Sequence, residues 1–267
     1  ILGHEGAGIV EKVGSEVKNF KPGDHVILSF YSDGTCDNCL KGVPTQCRSY
    51  AKYNLSGVRA DGDDHFTENG KHVSDMFNQS SFTTTTVVDQ RNAVKVDSKL
   101  DLRKLGPLGC GYVTGSGTVF NTLKPKPGDT IAVFGTGAVG LAAMMAGRIS
   151  GCIKVIAVDI VPERLELAKE LGATHAINSK EEDPVEKIKE LTGGYGVDWT
   201  VDTTGLSSVI MNSVAALAQG GTCAAIAVTP HLIELSTWND LCVDDKKIVG
   251  VNMGDSIPQI DIPRLIE

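Results

Sequence analysis

The order of hydrophobic and polar positions divides the 267-residue chain into two parts of different character. Up to about residue 110, short apolar runs of strand length alternate with clusters of Gly, Asn and Asp, as at His25–Leu28, 82–88 and Ala93–Val96. This pattern is typical of an all-β, barrel-like module with long loops between its strands. The segment 59–71 is polar throughout, and we expect it to be one of these loops.

Behind the turn Pro127-Gly128-Asp129, apolar strands and helical segments alternate. The spacing predicts strands at 130–134, 154–158, 197–202 and 222–228. Between and after them it predicts helices at 138–150, 162–171, 183–191 and 207–218, two of which have Pro in the first turn and Gly after the last. Strands and helices in this alternation form a parallel sheet with helices on both faces.

Composition and charge exclude several classes of protein. The formal net charge of −8 disfavours a nucleic-acid binder, because such proteins bind phosphates mainly through basic side chains. No apolar run is long enough to cross a bilayer, and no secretion signal is visible, so we expect neither membrane insertion nor export. The chain begins inside an apolar, glycine-rich segment without Met, and we expect both of its ends to be truncated.

The seven cysteines indicate metal chemistry rather than a disulfide framework. Their odd number is typical of reduced thiols, so we expect a cytoplasmic protein. Cys36, Cys39 and Cys47 lie in one loop at spacings typical of metal ligands, although a tetrahedral site needs a fourth. The remaining thiols of the second half are expected to be small core residues; they are Cys152, Cys223 and Cys242.

A glycine pattern predicts a dinucleotide site. Gly135, Gly137 and Gly140 form G-x-G-x-x-G directly after a predicted strand and at the start of a helix. The next strand ends in Asp159, which can accept hydrogen bonds from an adenosine ribose and would repel a 2′-phosphate, so NAD is favoured over NADP. The alternatives are an ordinary glycine turn in a domain that binds another ligand and a carboxylate that merely ends a strand.

Several motifs together resemble the zinc-containing medium-chain alcohol dehydrogenases. The resemblance rests on Gly3-His4-Glu5-x-x-Gly8, on "KPGDHV" at 21–26, on "GPLGCGYVTGSG" at 106–117 and on the glycine pattern. It runs through essentially the whole chain. "GPLGCG" and "LELAKELGATHAINS" at 165–179 are most similar to the aryl-alcohol branch of the family.

The resemblance implies an α/β fold, in which a Rossmann doubly wound parallel sheet is joined to an incomplete GroES-like β-barrel. The implied domains are a GroES-like catalytic domain at 1–112 with its N-terminal part missing, a Rossmann NAD-binding domain at 113–254, and the start of the return to the catalytic domain at 255–267. A structural zinc lobe belongs to the first domain.

The family's zinc lobe has four ligands whose spacings here lead from Cys47 back to Cys39, Cys36 and Asp33. Asp33 therefore stands where the family usually has its first cysteine. Because a carboxylate is an acceptable zinc ligand, we expect an Asp–Cys₃ structural zinc site. The alternative is a loop that has lost its metal and carries three free thiols.

The family's catalytic zinc is held by a cysteine, the histidine of the Gly-His-Glu motif and a later cysteine. His4 and Cys110 match the last two, and Glu5 matches a nearby carboxylate that can swing toward the metal. The first cysteine and the proton-relay residues would lie upstream of Ile1. Without the family resemblance, His4 would be interpreted as a surface histidine beside a turn, and Cys110 as a small buried residue.

The implied reaction transfers a hydride between a primary alcohol, preferably aromatic, and NAD, and yields the aldehyde. Phe30 and Phe77 are candidates for an aromatic pocket, although core packing is the commoner role of such residues. The resemblance assigns further nicotinamide or adenosine contacts to Thr114, Val139, Arg164 and Val228, each of which could instead be a packing or surface residue.

Two other functions remain open. The chain could be a non-catalytic fragment that binds NAD and zinc, since the upstream cysteine is absent, or a zinc-free reductase, against which His4, Cys110 and the cysteine loop argue. In the family, dimers or tetramers form through an edge strand of the coenzyme domain, which would lie near 247–251. We therefore expect the full-length protein to be a homodimer or homotetramer.

Overall fold

The computed structural model describes residues 1–60, 62 and 66–267. These residues form two compact units. One unit comprises Ile1–Val113 together with Asp255–Glu267, and the other comprises Thr114–Gly254.

The strands of the first unit are short. They are β1 (Ala7–Ile9), β2 (His25–Leu28), β3 (Thr67–Glu68), β4 (Lys71–His72) and β5 (Ala93–Val96). An antiparallel sheet in the order β1-β2-β5 places β2 at its centre, and β3 pairs with β4 in a separate small hairpin. The helices of residues 1–117 are α1 (Asp37–Leu40), α2 (Tyr50–Leu55) and α3 (Gly111–Gly117), with 3-10 turns at Pro44–Gln46, Leu102–Lys104 and Gly106–Gly109.

Two predictions for the first part of the chain were wrong. The segment 59–71 contains the β3–β4 hairpin, and Arg59 is buried because its guanidinium forms a 2.8 Å ion pair with the equally buried Asp75. The part of that predicted loop at residues 61 and 63–65 lies outside the described residues. The run 82–88 is not a strand, and Phe82 is 78% exposed. Its β-branched residues favour a pleated surface only where a partner strand packs beside it.

The second unit is built on a six-stranded parallel sheet. Its strands are β6 (Thr130–Phe134), β7 (Lys154–Asp159), β8 (His175–Asn178), β9 (Val197–Asp202), β10 (Leu217–Ala225) and β11 (Lys247–Gly250). They lie in the order β8-β7-β6-β9-β10-β11, which is the 3-2-1-4-5-6 order of a Rossmann fold. The sequence pattern missed β8 and placed β10 five residues too late.

Helices connect these strands. They are α4 (Ala138–Ile149), α5 (Pro162–Glu170), α6 (Pro184–Leu191) and α7 (Ser207–Ala215), followed in the chain by α8 (Pro258–Ile266), which belongs to the first unit. Single π-type turns lie at Thr118–Leu123 and Thr237–Cys242, and a 3-10 turn lies at Met253–Asp255. Among the described residues, none of the helices is both long and apolar enough to span a membrane.

The central strand β6 shows why this sequence forms a parallel sheet. Ile131 and Val133 pack into the core on one face, while Ala132 and Phe134 pack into the core on the other. A strand covered on both faces is apolar throughout rather than alternating, as "TIAVF" is. Cys152 and Cys223 are buried in this unit as expected, but Cys242 is exposed, contrary to the prediction that it is a core residue.

We predict that Ile131→Ala lowers the free energy of unfolding of the second unit by about 3 kcal/mol, because Ile131 is fully buried and a cavity would remain. Ile149→Ala is the matched control, because Ile149 is 76% exposed, and we expect a change below about 0.5 kcal/mol. Both tryptophans lie in Thr114–Gly254, so tryptophan fluorescence during urea unfolding monitors this unit. Equal effects of the two substitutions would contradict the assignment of the core.

Candidate metal centres and dinucleotide loop

The lobe that follows β2 brings four potential metal ligands together. A carboxylate oxygen and three thiols can all lie within 4.8 Å of one another; they come from Asp33, Cys36, Cys39 and Cys47. Two short helical segments create this arrangement, because Cys36 immediately precedes α1 and Cys47 immediately follows Pro44–Gln46. Across the lobe, the Asn38 side-chain amide donates a hydrogen bond to the Gln46 carbonyl at 2.8 Å.

The two oxygens of Asp33 have different surroundings. Oδ1 accepts hydrogen bonds from the backbone N–H groups of Thr35 and Cys36, both at 2.8 Å. Oδ2 faces the thiols and accepts a hydrogen bond from the Cys47 Sγ at 3.1 Å. The backbone bonds, led by that from Cys36, hold the pKa of Asp33 well below its usual range. One oxygen of an ionised carboxylate is thus fixed by the loop, and the other points at the cluster.

The thiols of the lobe are crowded in a way that suits a cation. Burial, together with the adjacent Cys36 thiol, raises the pKa of Cys39 to about 12, and burial also raises the pKa of Cys47. Thiolates become favourable here only when a positive charge compensates them. Three sulfurs and one oxygen are a tetrahedral donor set that zinc accepts. The residues therefore fit a structural zinc ion.

A second cluster brings together His4, Glu5 and Cys110, whose potential ligand atoms also lie within 4.8 Å of one another. His4 precedes β1, whereas Cys110 follows the 3-10 turn Gly106–Gly109. The Glu5 Oε1 accepts a 3.0 Å hydrogen bond from the Gly111 N–H, 106 positions away in the sequence. Imidazole, thiolate and carboxylate are all zinc ligands, so this donor set fits zinc as well.

The two phenylalanines that were candidates for an aromatic pocket differ in placement. The Phe77 ring packs against the His4 imidazole with 4.9 Å between ring centroids and 36° between planes. Phe30 is 2% exposed and packs against Tyr50, so it is a core residue rather than the wall of a pocket. Thr114 belongs to the second unit, where its hydroxyl lies 3.8 Å from the Met253 Sδ.

The glycine loop joins β6 to α4, and each of its glycines has its own surroundings. Gly135 has φ +88, in the region that favours glycine. A Cβ at Gly140 would lie 1.9 Å from the Gly135 carbonyl oxygen, so only glycine allows the helix to pack this closely. Gly137 is different, because a Cβ there would meet no atom within 4 Å. The space beside Gly137 is therefore open to a ligand.

The Asp159 carboxylate at the end of β7 organises this loop. Its Oδ2 accepts hydrogen bonds from the Thr136 N–H at 2.6 Å and the Thr136 hydroxyl at 2.8 Å. Its Oδ1 accepts from the N–H groups of Ile160 and Val161 at 2.7 and 3.0 Å. Burial opposes ionisation, but these four bonds outweigh it and hold the pKa of Asp159 below its usual value. These bonds fill the roughly four acceptor positions that a carboxylate offers.

Two threonines of this region carry contacts that the sequence analysis missed. Thr136 is the variable residue between the first two glycines of the glycine pattern. The Thr203 hydroxyl donates to the carbonyls of Phe134 and Gly135 at 3.0 and 3.1 Å. A threonine beside a glycine turn was the only signal in the sequence for either contact.

The remaining predicted coenzyme residues lie in the same unit: Val139 is half-buried in α4, Arg164 is exposed in the first turn of α5, and Val228 is fully exposed after β10.

Comparison with known sequence families gives two matches. Residues 1–98 match the alcohol dehydrogenase GroES-like domain, and residues 138–267 match the zinc-binding dehydrogenase domain. A curated relative, geraniol dehydrogenase from Castellaniella defragrans, is 42% identical over 271 residues, which cover 100% of this chain and 72% of the relative. A probable alcohol dehydrogenase from a Pseudomonas species is 38% identical over 262 residues, covering 96% of this chain and 82% of the relative.

Solved structures agree with the sequence relatives. An alcohol dehydrogenase zinc-binding domain protein from Burkholderia ambifaria superposes with a TM-score of 0.94 at 45% identity, over 99% of this chain and 72% of that one. Benzyl alcohol dehydrogenase from Acinetobacter calcoaceticus superposes with a TM-score of 0.92 at 41% identity, again over 99% and 72%. The predicted fold class, a Rossmann sheet with a GroES-like domain, is confirmed. The chain belongs to the zinc-dependent medium-chain alcohol dehydrogenases.

Proposed function

We propose that this alcohol dehydrogenase-type oxidoreductase uses zinc and NAD to oxidise a primary, preferably aromatic, alcohol to the aldehyde. The observation that carries the proposal is the convergence of the adjacent residues His4 and Glu5 with Cys110, more than a hundred positions away, on one set of potential ligand atoms. In this proposal residues 1–112 form the catalytic domain, residues 113–254 the NAD domain, and residues 255–267 the return to the catalytic domain.

His4 and Cys110 would hold the catalytic zinc, with Glu5 beside it, and Asp33, Cys36, Cys39 and Cys47 would hold the structural zinc. When bound, the catalytic zinc supplies Lewis acidity that lowers the pKa of an alcohol, and NAD supplies the hydride acceptor. His4 and Cys110 fill only part of a tetrahedral shell, so they leave room for substrate. Through its bond to the Gly111 N–H, Glu5 holds the backbone next to the thiol.

The proposed coenzyme contacts follow from the glycine loop. The open face of Gly137 allows a pyrophosphate to approach the backbone, and the first turn of α4 offers N–H groups that no helical carbonyl uses. The ionised Asp159 disfavours a second phosphate on the adenosine ribose and thereby supports NAD over NADP. We propose further contacts of the coenzyme with Thr114, Val139, Arg164 and Val228.

The substrate class is inferred from the relatives together with the donor set. One relative is named a benzyl alcohol dehydrogenase and another a geraniol dehydrogenase, and both names describe primary alcohols. We further propose that the full-length enzyme forms dimers or tetramers through β11, which is an edge strand of the six-stranded sheet among the described residues, so that its outer side is available for pairing.

We predict two zinc ions per chain by elemental analysis, because two separate donor sets fit zinc. Cys110→Ser should reduce the count to one, and so should Cys39→Ser. Cys242→Ser is the matched control: Cys242 is exposed and belongs to neither cluster, so this variant should keep both ions. A count of two in Cys110→Ser would refute the zinc role of Cys110. One ion in the unaltered chain would instead favour a non-catalytic fragment that binds only the structural zinc.

We predict that Gly137→Ala weakens NAD binding about 10-fold or more while the urea midpoint stays unchanged, because its added methyl meets no protein atom but occupies the path of the pyrophosphate. Gly140→Ala should lower the urea midpoint as well, since its methyl collides with the Gly135 carbonyl. Gly14→Ala is the control, because a Cβ there also meets no atom within 4 Å and Gly14 lies in the other unit. Nicotinamide fluorescence titration with NADH measures the binding. Unchanged affinity in Gly137→Ala would contradict the proposed site.

A further inference from the structure

Ser29, directly after β2, uses every hydrogen-bonding group that it has. It is fully buried, and its hydroxyl donates a 2.7 Å hydrogen bond to the carbonyl of Gly109, the residue before Cys110. Its N–H donates to the Asn92 carbonyl at 2.8 Å. A Cβ at Gly109 would lie 1.9 Å from the Leu28 carbonyl oxygen, so the backbone before Cys110 packs directly on the end of β2. Ser29 therefore ties β2 to the segment that carries the thiol.

The second buried tie is Gln79. Its side-chain amide donates to the His4 carbonyl and to the Ser29 carbonyl, both at 3.1 Å, and the residue is fully buried. Asn92 donates to the same Ser29 carbonyl at 2.8 Å and to the Phe77 carbonyl at 3.1 Å. Ser29 is thus the point at which the histidine segment, the Phe77 segment and the Cys110 segment are joined.

These bonds form one path from the His4 carbonyl through Gln79 and Ser29 to the Gly109 carbonyl. On the other side of Cys110, the Gly111 N–H is held by Glu5. Both peptide groups that flank the thiol are therefore fixed, one by a buried hydroxyl and the other by a carboxylate from the histidine segment. A shift of the Cys110 segment would break the buried bond between the Ser29 hydroxyl and the Gly109 carbonyl, where water does not replace it.

We propose that Ser29 and Gln79 are positioning residues that set the distance between the His4 imidazole and the Cys110 thiolate for the metal. The inference rests on the proposed zinc role of His4 and Cys110. Stability alone does not explain Gln79, because its Oε1 is buried without a hydrogen-bond partner among the described residues, which is unfavourable in a core. An apolar side chain of the same size would avoid that penalty but would release His4 from Ser29.

The test compares the zinc affinity of Ser29→Ala and Gln79→Met with that of Ser213→Ala. Ser213 is the matched control, since it is fully buried and its hydroxyl also donates to a backbone carbonyl, that of Val209 at 2.9 Å, in the other unit. Zinc is titrated against a chromogenic chelator, and the catalytic site is defined as the binding that Cys110→Ser removes. We expect binding about 10-fold or more weaker in Ser29→Ala and in Gln79→Met, and unchanged in Ser213→Ala.

Two further measurements separate positioning from a general loss of stability. In the zinc-free proteins, we expect similar thermal midpoints for Ser29→Ala and Ser213→Ala. With Co²⁺ in place of zinc, only Ser29→Ala and Gln79→Met should shift the thiolate-to-metal absorption band. The double variant Ser29→Ala/Gln79→Met should weaken zinc binding by less than the product of the single effects, because both act on one path.

Equal zinc affinity and equal Co²⁺ spectra in Ser29→Ala, Gln79→Met and Ser213→Ala would overturn this inference and leave the proposed function intact. Full retention of zinc in Cys110→Ser would instead refute the metal site itself, and the inference with it. If Ser29→Ala does not fold, Gln79→Met alone decides. This substitution also breaks the hydrogen-bond path, so an unchanged zinc affinity in that variant would contradict the proposal.

Discussion

The first unit depends on one strand, β2, to which all parts of its proposed catalytic metal site are attached. β2 pairs with β1, which follows His4, and with β5 on its other side. Its end carries Ser29, which binds the carbonyl before Cys110. Segments more than a hundred positions apart therefore share one rigid reference, and the close contact at Gly109 leaves little freedom between them. A metal site assembled from such segments inherits its geometry from the sheet rather than from the loops.

In the second unit, glycines hold segments rigidly together because they allow helices to pack closely on the backbone. Gly140 allows α4 to approach the Gly135 carbonyl, and a Cβ at Gly115 would lie 2.0 Å from the Val139 carbonyl oxygen. Helices can therefore sit directly on the backbone around the dinucleotide loop. The Asp159 carboxylate and the Thr203 hydroxyl then hold the loop from two sides. Metal site and dinucleotide loop are thus each supported by buried polar groups, which belong to different units.

Local sequence patterns predicted most of the fold, but they could not predict contacts between residues that are far apart in the sequence. The strand Val197–Asp202 and the starts of α4, α5 and α7 were visible because an apolar pattern begins there within two positions of a Gly or a Pro. β8 was missed because "HAIN" is short and half polar, and 82–88 was mistaken for a strand because its β-branched residues lack a partner. The family resemblance named the residues that cluster in the structure, including Asp33, whereas Ser29 and Gln79 carry no local signal, since their partners lie up to 80 positions away.

The four hydrogen bonds of Asp159 have a consequence for ligand exchange. With its acceptor positions filled by Thr136, Ile160 and Val161, Asp159 orders the loop through contacts within the protein alone. In the proposed NAD complex, a ribose hydroxyl would share or displace one of these donors, and the Thr136 hydroxyl, which can rotate about its C–O bond, is the donor that can turn away. In that proposal, binding and release of the ribose require only the rotation of one hydroxyl about a single bond, with no refolding of the loop.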